Sequence, residues 1–172
     1  MLTLKEEEKL IQITFDLARK SAEQGFEPFG AVLVKNGEIV SFTQDKSIMY
    51  ADPTSHAELV LISEYCRKYK LISLEGYSLY CNVEPCVMCS GAIHWAKISR
   101  VVFSVRQNNL QKISKGKDKP SCEQLINTGN KKIEVVGGVL EAEGIAVLKQ
   151  YPFQSKQTKH EVYQKKKYGE KG

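Results

Sequence analysis

Two short stretches constrain this chain more than any other feature: Thr54-Ser55-His56-Ala57-Glu58 and Glu84-Pro85-Cys86-Val87-Met88-Cys89. Each reads as the start of a helix. Side chains in a helix's first turn lean back toward its N-terminus, so two facing helix starts converge on one point. The groups brought together are one imidazole, one carboxylate and two thiols. Zinc takes such donors, and catalytic zinc sites use three protein ligands with water in the fourth place. His56, Cys86 and Cys89 supply the three ligands. Glu58 is then free to handle protons on a water that the metal makes acidic. The helix dipole and a nearby metal both favour thiolate, the form zinc binds.

Taken singly, each residue has a plainer reading. Glu58 lies three after Ser55 and fits the glutamate of a capping box. His56 fits a surface residue at a helix start, and one Cys-x-x-Cys also suits a redox motif. The joint occurrence with Pro85 in a strand-helix frame favours catalytic zinc. A structural zinc site needs a fourth protein ligand. His94, five residues beyond Cys89, lies about 7.5 Å along the helix and round its cylinder, which leaves Cys81 as the discriminating residue.

Composition narrows the class. A chain of 172 residues is expected to form one domain, with 1–152 as the catalytic part and 153–172 as a C-terminal helix and basic tail within it. No apolar run is long enough to span a bilayer, and the acidic start around Glu6-Glu7-Glu8 does not suit a leader, so a cytoplasmic protein is expected. Five cysteines fit reduced thiols plus a metal better than a disulfide framework, with Cys66 and Cys122 as small buried hydrophobes. The net charge of +5 has much of its excess in Lys156, Lys159, Lys165, Lys166, Lys167 and Lys171. That run reads either as a solvated helix or as an RNA-facing tail.

In chain order, Thr3 and Glu6 form a capping-box pattern before a helix from about Leu4 to Ser21, ended by Gly25. Strands are expected at Gly30 to Val34 and Glu38 to Phe42 around an Asn36-Gly37 hairpin turn. A helix follows from the Thr54-Ser55 cap, then a strand at Tyr77 to Val83, then a helix with Pro85 at its first position running through Ile93. Arg100 to Val105 reads as a strand and Gln107 to Pro120 as a polar, lysine-rich loop. The remainder reads as a short helix at Ser121 to Ile126, a strand at Lys132 to Val136, and helices at Leu140 to Leu148 and Phe153 to Tyr168. Alternating helices and short strands make an α/β sandwich.

The motifs His56-x-Glu58 and Pro85-Cys86-x-x-Cys89 resemble the cytidine deaminase superfamily, whose zinc deaminases carry this signature. Within it, the chain resembles bacterial guanine deaminase and tRNA-specific adenosine deaminase. The resemblance implies a three-layer α/β/α sandwich with a mixed five-stranded sheet, usually a homodimer. It also implies bound Zn2+ and hydrolytic loss of an exocyclic amine as ammonia, with Glu58 moving the protons. The expected substrate is a nucleobase or nucleoside, with a purine such as guanine favoured. A tRNA adenosine is the alternative, with Lys112, Lys115, Lys117, Lys119 and the tail as phosphate contacts, and a noncatalytic zinc-stabilised module is a third reading.

By the same resemblance the Ala57 backbone N–H and groups around Glu84 hold the base edge. Phe29, in Pro28-Phe29-Gly30, packs on the base or belongs to the core. Trp95 lies at the pocket or packs against its neighbours, and Tyr168 closes the site of a swapped partner. Asp45 stands where the family usually has asparagine. An ionised carboxylate only accepts, so Asp45 should select a ring or sugar donor, unless the loop shifts it out of the pocket. The segment from Arg106 to Lys119 also lacks the acidic run of the guanine-specific branch.

Overall fold

The structure, a computed structural model, describes residues 2–117, 119–129 and 132–169. Lys171 of the basic tail lies outside the described residues. Helix α1 (Leu4–Glu23) starts on a closed capping box, in which the Thr3 backbone N–H donates to Glu6 Oε2 at 2.7 Å. Its buried stripe of Leu10, Ile11, Thr14, Phe15 and Ala18 follows the helical period. Strands β1 (Gly30–Lys35) and β2 (Glu38–Gln44) join through Asn36 (φ 53°) and Gly37 (φ 82°), and the paired positive φ angles make the turn that matches strand twist. At Gly30 a Cβ would lie 2.5 Å from Leu17 Cβ and 2.8 Å from the Thr14 carbonyl oxygen, so the bare backbone lets α1 close on the sheet.

The other elements are α2 (Ser47–Tyr50), α3 (Ala57–Tyr69), β3 (Tyr77–Val83), α4 (Val87–Trp95), β4 (Arg100–Val105), α5 (Gln107–Ser114), α6 (Cys122–Ile126), β5 (Glu134–Gly137), α7 (Glu141–Lys149) and α8 (Lys156–Tyr168). The sheet order is β2-β1-β3-β4-β5. β1 runs antiparallel to β2 and β3, and β3, β4 and β5 are parallel. Alternate residues face opposite sides: Leu33, Leu79, Val101 and Phe103 pack with α3, α4 and α6, and Val32, Tyr80 and Val102 pack with α1 and α7. The expected mixed five-stranded sheet with helices on both sides is thus present.

Several expected boundaries shift. Helix α3 does not begin on a Thr54-Ser55 cap, because both hydroxyls donate to the Asp52 carboxylate at 2.7 Å. His56 is the N-cap instead. Pro85 likewise sits one residue before the N-cap of α4, which is Cys86. The expected loop from Gln107 holds α5, because Gln107, Leu110 and Gln111 form a buried i, i+3, i+4 face whose amides are hydrogen bonded. The strand expected from Lys132 starts at Glu134, and the helix expected from Phe153 starts at Lys156 behind its Ser155 cap.

Candidate metal centre and catalytic cavity

β3 and β4 are parallel, and beyond their C-terminal ends lies a cavity of about 190 Å³ into which α3 and α4 open. Its wall includes Phe29, His56, Glu58, Cys81, Asn82, Glu84, Cys86, Gln107, Lys119 and Lys156. The N-cap residues His56 and Cys86 make no side-chain bond to their own helices. They point at each other instead. Cys86 Sγ lies 3.6 Å and Cys89 Sγ 3.8 Å from His56 Nδ1. A tetrahedral zinc with ordinary Zn–S and Zn–N bonds separates its sulfur and nitrogen ligands by about 3.6 Å. The three ligand atoms all lie within 4.8 Å of one another, so this donor set fits zinc.

Charge is already arranged for a metal. Hydrogen bonding from Cys89 takes the Cys86 thiol down to about 3 against the effect of burial, and the His56 contact reinforces it. Cys89, sharing that proton and buried, is pushed far up. Burial alone would lower the His56 imidazole, but Cys86 and the Glu58 charge outweigh it and raise it. Burial also raises the Glu58 carboxyl above its ordinary value, with the His56 charge opposing. A carboxyl held in that state takes and returns protons readily.

A model of the cytidine and deoxycytidylate deaminase zinc-binding region matches residues 4–105. The chain belongs to this family. A tRNA-specific adenosine deaminase from Aquifex aeolicus is 40% identical over 97 residues, 56% of this chain and 64% of that protein, just under two thirds of its length. A guanine deaminase from Bacillus subtilis is 37% identical over 58% of this chain and 68% of that protein. A solved structure from work on A-to-I editing by tRNA:A34 deaminases superposes with a TM-score of 0.70 at 27% identity, covering 81% of this chain and 99% of that one. The family is one of zinc-dependent deaminases, as the two motifs implied.

Glu84, next to the cysteine motif, serves the deaminase fold as a cap for two other helices. Its Oε2 accepts the Gln107 N–H and its Oε1 the Cys122 N–H, both at 2.8 Å, at the first residues of α5 and α6. The Gln107 side chain returns a bond to the Glu84 carbonyl at 2.6 Å. Asn82 accepts the Gly30 N–H and donates to the Pro28 carbonyl, both at 2.9 Å, and so holds Phe29 in the cavity wall. Cys81 lines the cavity, but burial drives its thiol well up, and it stands outside the three-residue ligand cluster.

Ala57 is buried as the first residue of α3, where a helix leaves its N–H without an internal acceptor. Asp45 is fully buried behind the cavity wall, and its backbone N–H donates to the Phe29 carbonyl at 3.0 Å. Its Oδ1 accepts from Ser47, and its Oδ2 has no hydrogen-bond partner among the described residues. Trp95 is 81% exposed at the far end of α4 and Tyr168 is 61% exposed at the end of α8; neither lines this chain's cavity. Sequence reasoning missed Asn82 and Gln107 in the wall, and it missed the placement of Lys156 with its Nζ 2.9 Å from His56 Nε2. No local pattern marks Lys156, because α8 reaches the cavity only through tertiary ties. Lys159 pairs with Glu27 at 3.1 Å, and the Ile48 carbonyl bonds His160 at 2.9 Å. Among the described residues no helix is long and apolar enough to cross a membrane.

Proposed function

We propose that the chain hydrolytically removes an exocyclic amine from a nucleobase or nucleoside, a purine in the first instance, and releases ammonia. The observation that carries this reading is the buried Glu58 carboxyl in the same cavity wall as the His56, Cys86 and Cys89 cluster. Those three residues would hold a zinc ion, which when bound would make a water acidic enough to act as a nucleophile near neutral pH. Glu58 would take one proton from the attacking water and pass it to a ring nitrogen, then take the remaining proton of the added hydroxyl as the carbonyl forms and deliver it to the departing amine, which leaves as ammonia. Phe29 packs on the base and the Ala57 N–H holds its edge. Asp45, fully buried and outside the cavity lining, does not reach the base and instead supports the wall through its N–H bond to the Phe29 carbonyl.

The same proposal counts α8 within one catalytic unit and includes pairing of two copies, a cytoplasmic setting and a place in purine metabolism. The exposed Val87 and Trp95 on α4 give such pairing an apolar face. Ammonia release from guanine, adenine, cytosine, their nucleosides and unmodified tRNA, with zinc content measured in parallel, tests the reading. Zinc without any turnover would overturn it in favour of a noncatalytic module. A second reading, deamination of a tRNA adenosine, is favoured by the relative of that name at 40% identity. It requires salt-sensitive retention of tRNA, because phosphate contacts displace counterions.

A further inference from the structure

We propose that Asn82 is a positioning residue for base recognition: its carboxamide stands in for a missing stretch of strand pairing and fixes Phe29 in the orientation that receives the base. This role rests on the deaminase reading above and adds a determinant of affinity that lies outside both signature motifs. Backbone pairing between β1 and β3 stops at Ala31 and Cys81. Directly beyond that pair, Phe29, Gly30, Asn82 and Val83 line the catalytic cavity, so the cavity opens where the two strands part. β3 stays paired with β4 as far as Val83 and Val105. The segment leading into β1, which carries Phe29, is the one that loses its partner strand. Unpaired strand ends open readily, and a ring carried on a loose one would be poorly placed to meet a base.

Asn82 closes that gap with a side chain. Its Oδ1 accepts the Gly30 N–H and its Nδ2 donates to the Pro28 carbonyl, both at 2.9 Å. A carboxamide offers a donor and an acceptor side by side, as a peptide group does, whereas an ionised carboxylate lacks the donor. The Phe29 N–H donates to the Glu27 carbonyl at 2.8 Å, and the Phe29 carbonyl accepts the Asp45 N–H at 3.0 Å. Every backbone polar group from the Pro28 carbonyl to the Gly30 N–H is therefore bonded, although β3 no longer pairs there. Asn82 is 2% exposed, so water does not compete for its two bonds. The Phe29 ring is half-buried: one part packs against Val83, Val105, Leu110 and Leu148, and the rest is left to the cavity. An aromatic ring held in this way receives a flat base without first losing conformational freedom. Ring and base meet alike in the ground and transition states, so the contact acts on KM and hardly on kcat.

The test is a double-mutant cycle in zinc-loaded protein, built from Asn82→Asp, Asn82→Ala, Phe29→Leu and the paired variants. Ammonia release is followed with guanine, adenine, cytosine and their nucleosides, and the same changes in a Glu58→Gln background give equilibrium binding without turnover. Asn82→Asp keeps the acceptor for Gly30 and loses the donor to Pro28; Asn82→Ala loses both. For the compound turned over, KM should rise about tenfold in Asn82→Asp, the worth of one buried hydrogen bond, and further in Asn82→Ala, with kcat within about threefold and zinc content unchanged. With Phe29→Leu already present, the same changes should move KM less than about twofold, because the ring they position is gone. Equal factors with and without Phe29 would overturn the proposal. So would a fall in the urea midpoint with KM unmoved, since Asn82 would then support the fold alone. A measurement that leaves Asn82 in place guards against variants that do not fold: its side-chain amide resonance should shift when base binds wild type and stay put in Phe29→Leu saturated with base. A shift that persists there would mean that Asn82 touches the base itself, against a positioning role. Coupled loss of base binding with no ammonia from any compound would sink the deaminase reading while the role of Asn82 stood; turnover with uncoupled effects would do the reverse.

Discussion

At α1 and α8 the residue before the first helical turn bonds its own helix: Thr3 accepts the Glu6 N–H, and Ser155 accepts the Thr158 N–H at 3.1 Å. At α3 and α4 that position holds His56 and Cys86, which make no such bond and turn into the cavity. The cap is the cheapest stabilisation a helix can have, about 1 kcal/mol. The N-cap side chains of α2, α5, α6 and α7 make no such bond either, so what sets α3 and α4 apart is that their uncapped N-cap side chains, His56 and Cys86, stand in the cavity wall and close on each other.

The largest effect expected from this contrast is chemical. Glu58→Gln should lower ammonia release by about 10³-fold with zinc content unchanged, and Cys89→Ala should lose both. Activity within a few-fold of wild type in Glu58→Gln would remove the proton-transfer role. Next comes the metal as a substitute for caps. Chelation should cost about 4 kcal/mol of unfolding free energy when zinc is a thousandfold above its dissociation constant, and Cys86→Ala should show no response to the chelator. Urea titrations with and without chelator measure both.

A third effect tests capping in trans. Glu84→Ala strips two buried N–H groups of their charged acceptor and should destabilise by about 3 kcal/mol, more than a local cap is worth. A loss no larger than that of Thr3→Ala, about 1 kcal/mol, would mean that α5 and α6 do not depend on it. Conversely, His56→Asn in chelated protein supplies the missing cap and should gain up to about 1 kcal/mol over chelated wild type.

The finest effect is one of slope. In metal-free protein the Cys86 thiol titrates at about 3 rather than 9.0, so the folded chain binds fewer protons than the unfolded one between those values. Its stabilisation is complete above the unfolded value and is lost as pH falls toward 3. Below pH 6.5 the raised His56 is protonated in both states and drops out. Urea midpoints between about pH 4 and 6 should therefore rise more steeply with pH in wild type than in Cys86→Ser.

The sheet, its hairpin and the clustering of His56, Cys86 and Cys89 were legible because each is written locally: Asn36-Gly37 sets the turn, and strand alternation and Cys-x-x-Cys spacing are short-range patterns. Glu58 looked equally like a capping glutamate for Ser55, and only the structure shows Ser55 spent on Asp52. Helix α5 was hidden because Gln107 and Gln111 read as surface residues; they are buried because the Glu84 backbone and each other's amides satisfy them. Lys156 was visible as a charge but not as a cavity residue, since the ion pair between Lys159 and Glu27 that seats α8 spans most of the chain.

The way α8 is fastened has a consequence for redesign. The helix follows Pro152, is tied down by Lys159 on Glu27, His160 on the Ile48 carbonyl and Tyr163 edge-on to Phe26, and contributes no strand to the sheet. His56, Cys86, Cys89 and Glu58 lie in or directly before α3 and α4, with no residue shared. The C-terminal segment can therefore be varied as a cassette: segments that keep those three anchors and differ at Lys156 and its neighbours would alter one side of the cavity wall, while His56, Cys86, Cys89 and Glu58 stay on the rest of the chain.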